Sequence, residues 1–68
     1  MRETYYTTTV TDDSGGVFTY EFLTEETAWE DARCEIKRMG VQSAVISRVL
    51  RSSGATDDLM TTIATITR

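Results

Sequence analysis

The chain has 68 residues, which suffices for one domain, 1–68, but only a thin core, since a chain of this size buries only about 60% of the surface its unfolded form exposes. A single cysteine, Cys34, and the absence of histidine exclude an internal disulfide and a structural zinc site. Eleven acidic residues against seven basic ones, a net charge of −4, argue against direct nucleic-acid binding, which needs a cationic footprint, and favour a basic protein surface as partner.

Residues 3–11, ETYYTTTVT, open the chain with threonine and tyrosine, which suit a pleated, half-buried strand. Asp12-Asp13-Ser14-Gly15-Gly16 supplies turn formers, and the strand resumes over 17–23. There Phe18, Tyr20 and Phe22 alternate onto one face, leaving Val17, Thr19 and Glu21 on the other. The two segments read as a hairpin. Its aromatics are expected to form core against Trp29, with Tyr5 on the open face.

A helix is predicted over 25–39. Thr24 is placed to cap it, Leu23 and Ala28 to staple its start, and Glu25 and Glu26 to suit the positive end of its dipole. Lys37 and Arg38 fall in the last turn and Gly40 is placed to end it. At 100° per residue, Ala28, Trp29, Ala32, Ile36 and Met39 share one face, with Glu26, Glu30, Arg33, Cys34 and Lys37 opposite. The helix is amphipathic and packs one side onto a sheet.

Two further strands are expected at 41–51 and 59–67, joined by SSGATDD. Alternation puts Val41, Val45 and Val49 on one face of the first, with Ala44, Ile46 and Leu50 on the other. In the second, Leu59 and Ile63 oppose Met60, Ala64 and Ile66. Apolar residues on both faces mean that these strands sit centrally or that the open face meets another molecule. The fold expected is α+β: a single ββαββ domain whose four-stranded, mostly antiparallel sheet carries one amphipathic helix on one face.

This order constrains where charge gathers. The helix returns the chain to the hairpin end, so the third strand runs in the direction of the second, though the strand order stays open. The turn after it then lies at the helix-start end, bringing Asp57 and Asp58 toward Glu25 and Glu26 as an acidic cap. Glu21 and Glu30 lie not far away, with Asp31 at the edge of the surface they form. Lys37, Arg38 and Arg68 collect at the other end, near Asp12 and Asp13.

No catalytic pattern emerges. Cys34 has no histidine to act as its base, and TDDSGG lacks the alternating carboxylates and distal glutamate of a calcium loop. Gly15-Gly16 precedes a strand, so it forms no phosphate cradle at a helix start. The expectation is a protein that is not an enzyme and has no cofactor, no metal site and no direct nucleic-acid contact. No apolar stretch approaches the roughly 20 residues of a membrane span, and MRETYYTTTV has no signal-like apolar core, so a cytoplasmic protein is expected.

In size, in the ββαββ pattern, and in its acidic TDDSGG, TEET and ATDD segments, the whole chain resembles phage-encoded anti-defence proteins, especially anti-CRISPR proteins. That resemblance implies a phage or mobile-element inhibitor that binds a basic, nucleic-acid-handling host complex, such as a CRISPR complex. Glu25, Glu26, Glu30, Asp31, Asp57 and Asp58 are the residues expected to make the contact. The alternative is a homo-oligomeric structural or accessory protein, such as a homodimer, assembled through Val45, Val49 and Ile63 on the open sheet face.

Overall fold

The computed structural model describes residues 2–52 and 59–68. Strands β1 (Arg2–Asp12) and β2 (Val17–Phe22) form a hairpin, followed by helix α1 (Glu25–Ile36) and strands β3 (Val41–Ser52) and β4 (Leu59–Thr67). The sheet order is β2-β1-β3-β4, and every neighbouring pair is antiparallel. The chain is thus an α+β ββαββ fold, as its sequence suggested. β3 does run in the direction of β2, and the order left open is settled by α1, which carries the chain across β1 so that β3 pairs on its far side. Asp57, Asp58 and the rest of the β3–β4 connection lie outside the described residues.

The hairpin turn is built by Asp12. Its Oδ1 accepts hydrogen bonds from Ser14 N (3.0 Å), Ser14 Oγ (2.8 Å) and Gly16 N (2.7 Å), while Gly15 takes a φ of +89°. These bonds favour the charged carboxylate, and the Ser14 hydroxyl and Gly16 amide are the main reasons its pKa lies below the usual 3.8.

Thr24 caps α1 as expected, its Oγ1 accepting from Thr27 N at 3.2 Å. Leu23 forms no staple, being 88% exposed. The helix also stops at Ile36, three residues short of the expected end. Lys37 N and Arg38 N turn back to Cys34 O and Glu35 O over three residues, tightening the last turn. Met39 therefore leaves the apolar stripe and is 97% exposed. Gly40, at φ +90°, serves the entry to β3 instead, where its carbonyl accepts from Asp13 N at 2.8 Å.

The core lies between α1 and the two central strands. Ala28 and Ala32 have no exposed surface, and their small size lets the helix sit close to Val10, Ala44 and Ile46. Thr8, fully buried beneath it, donates to Ala28 O at 2.9 Å and ties helix to sheet. Tyr6, Phe22, Trp29, Ile36, Ala64 and Ile66 complete the rim. Phe18 and Tyr20 share this side of the sheet but stay 53% and 42% exposed. The expectation that they fill the core is corrected for a geometric reason. A helix about 10 Å wide covers two strands spaced about 4.8 Å apart, and α1 sits mainly on β1 and β3.

Two bulges overturn the simple alternation of the late strands. Thr11 pairs with Ser43 but Asp12 with Val41, so Gln42 is the extra residue and Val41 turns into the helix-side core. In β4, Ala64 pairs with Ile46 but Thr62 with Ser47, which leaves Ile63 extra. Met60 thus lies opposite Val49 on the open face, while Ala64 and Ile66 lie on the helix side. β3 is central and β4 is an edge, so the apolar character of both strands has two different causes.

Candidate functional site

The acidic residues of α1 radiate in three directions. Ala28 and Ala32 fix the buried side, and the 100° rotation per residue then points Glu26 and Glu30 straight away from the sheet. Both are exposed and neither has an ion pair, the Arg38–Glu35 bridge at 2.9 Å being the salt bridge found among the described residues. Glu25 is drawn aside, its Oε2 accepting from Trp29 Nε1 at 3.2 Å. Asp31 lies on the opposite flank, half-buried, with Oδ2 shielded from solvent and without a hydrogen-bond partner. Burial, reinforced by repulsion from Glu35 and opposed by Arg38, raises its pKa above 3.8.

Of the expected acidic contact residues, the structure thus aligns Glu26 and Glu30, turns Glu25 and Asp31 to either side, and leaves Asp57 and Asp58 outside the described residues. β2 ends at Phe22, level with its partner Tyr6, whereas β1 and β3 continue four residues further to the Arg2–Ser52 pair. At about 3.3 Å per residue, the two central strands run roughly 13 Å past the end of β2.

At the hairpin end the expected basic cluster is partly assembled. Arg68 Nη2 donates to Arg38 O at 3.1 Å, and Arg38 shares a cleft of about 430 Å³ with Asp12, Asp13, Phe18, Tyr20 and Met39. That cleft was not foreseen from the sequence. The alternation of Phe18 and Tyr20 gave their face, but not the width of the helix that fails to cover them. A second cleft, about 510 Å³, lies beside β1 where β2 ends, lined by Tyr5, Phe22, Leu23 and Arg51 among others. Tyr5 is on the open face as expected, with the Arg51 guanidinium 5.0 Å above its ring and Nη2 bonded to its hydroxyl at 3.2 Å.

The middle of the open face is lined mainly by threonine, serine and valine, with Glu21 at its β2 edge. Thr7, Thr9 and Thr11 of β1 meet Glu21, Thr19 and Val17 of β2 and Ser47, Val45 and Ser43 of β3. Thr9 and Thr19 hydroxyls lie 3.3 Å apart across the hairpin. Of the expected dimer residues, Val45 is half-buried there and Val49 is only 1% exposed between Tyr5 and Met60. Ile63 sits at the β4 bulge, 36% exposed. Thr7 Oγ1 is buried on this face without a hydrogen-bond partner.

Among the described residues, no group of three or more cysteine, aspartate and glutamate side chains converges to hold a metal ion. No helix among them is long and apolar enough to cross a membrane. Compared with known proteins, the chain matches no family model, and neither a curated protein nor a solved structure is significantly similar to it.

Proposed function

We propose that this protein is a small protein-binding module, an inhibitor of the anti-CRISPR type. Through the outer row of α1 it engages a basic surface on a nucleic-acid-handling complex in the host cytoplasm. It works by occupancy and not by catalysis. The observation that carries this reading is the Glu26–Glu30 pair. Like charges at i and i+4 destabilise a helix by a few tenths of a kcal/mol, and here neither carboxylate forms an ion pair. A basic partner supplies one.

The test is recovery of partners from bacterial lysate by the tagged protein, compared with the double variant Glu26→Lys, Glu30→Lys. Stoichiometric recovery of a basic nucleic-acid-binding complex is expected, falling as added salt shortens the Debye length from about 10 Å toward 3 Å. The double variant should lose it while keeping its helical circular dichroism. Undiminished recovery by that variant would sink the proposal.

Self-assembly is the second function these surfaces support. The observation that favours it is the edge strand β4, which carries no charged side chain.

A further inference from the structure

We infer that β4 is a homodimer seam: two copies pair antiparallel along the edge around Ala64–Thr67, joining their sheets into one of eight strands. This inference rests on the self-assembly reading and moves its seat from the open face to the edge.

The backbone geometry defines the row that is offered. Arg68 N donates to Gln42 O at 3.1 Å, so residues 42 and 68 form a hydrogen-bonded pair of the antiparallel ladder. Alternation along the register Ser43–Thr67, Ala44–Ile66, Val45–Thr65 then directs the N–H and C=O of Ile66 toward β3. Those of Thr65 and Thr67 point away from it. The bulge at Ile63 interrupts this outward row, which limits the seam to the four residues beyond it.

Charge selects the occupant. A chain of net charge −4 repels its own copies. Among the described elements, β1 carries Arg2, Glu3 and Asp12, β2 carries Glu21, α1 is highly charged, and β3 carries Arg48 and Arg51. Only β4, Leu59–Thr67, has no charge to bring against itself. Nor does it have the lysine, inward charge or proline that commonly blunts an exposed edge. Pairing through the other edge would put two Glu21 carboxylates into one short ladder. An isologous antiparallel pair of β4 strands instead sends the two Arg68 side chains to opposite ends of the seam. Ile66, partly buried on the helix side, then gains cover from the partner copy's Ile66.

The test is sedimentation of the full chain between about 10 µM and 1 mM, the weak range that a short seam supports. A reversible monomer–dimer equilibrium is expected. Thr65→Pro removes an N–H that points away from β3, so it costs no ladder bond within the chain. It should raise the dimer dissociation constant at least tenfold. Val45→Lys, on the open face, should leave that constant within about twofold. As a check independent of any variant, amide exchange of the wild-type protein should slow at Thr65 and Thr67 as concentration rises, with the β2 amides unchanged. A wild-type monomer at every concentration overturns both the edge seam and self-assembly. A dimer broken by Val45→Lys, with no concentration-dependent protection at Thr65 and Thr67, overturns the edge seam alone and returns assembly to the face.

Discussion

Thr8 shows how one hydroxyl on the sheet fixes the helix above it. Its Oγ1 reaches Ala28 O from a site with no solvent exposure, in place of the water that an exposed threonine would bind. Thr8→Val keeps the shape and removes the donor, so a loss of about 1 kcal/mol is expected in urea or thermal unfolding. Nothing in the run Thr7-Thr8-Thr9 marks the middle residue, because all three favour strands equally. The two perturbed aspartates act in opposite directions with pH. Asp12 has its pKa lowered, so its stabilisation is present above 3.8 and fades as pH falls through its folded value. Asp31 has its pKa raised, chiefly by burial, so its contribution is favourable below 3.8 and is lost as pH rises through its folded value. Asp31→Asn is accordingly expected to raise the melting temperature at pH 7, with the gain shrinking as pH is lowered toward 3.8. A gain independent of pH would show that charge is not its cause.

At the scale of elements, the caps were legible and the endings were not. Thr24, Glu25 and Glu26 announce the helix start through chemistry confined to a few residues, and the structure has Thr24 as the cap with both glutamates in the first turn. The helix ends at Ile36 and Gly40 O then accepts from Asp13 N across the sheet end, a contact between distant residues that local periodicity does not carry. Gly40 takes φ +90°, and a Cβ built there would meet no atom within 4 Å. Any cost of Gly40→Ala is therefore conformational, and about 1–2 kcal/mol of destabilisation is expected, with Gly40→Asn milder. Chemical denaturation of the two variants checks this, and equal stability of Gly40→Ala and wild type would contradict it. The bulges at Gln42 and Ile63 were equally invisible. Each depends on which residue of another strand lies opposite, and alternation within one strand carries no such information.

The whole molecule, 40 × 23 × 14 Å across its Cα positions, separates its two proposed surfaces. Glu26 and Glu30 face solvent above the central strands, whereas Thr65 and Thr67 turn outward at one edge of the sheet. Reversing the helix charges should therefore leave the β4 dimer intact, and breaking the dimer should leave the acidic row in place. By itself, the sequence determined the ββαββ order, the direction of each strand, the polarity of the helix faces and the excess of negative charge. These follow from local periodicity, capping chemistry and the need for the helix to carry the chain back along the sheet. Only the tertiary structure decided that β1 lies between β2 and β3, that β4 is an uncharged edge, and that Phe18 and Tyr20 escape cover while Val49 does not. Those outcomes depend on strand register and on the width of one helix over four strands, and both are set by contacts between residues far apart in the chain.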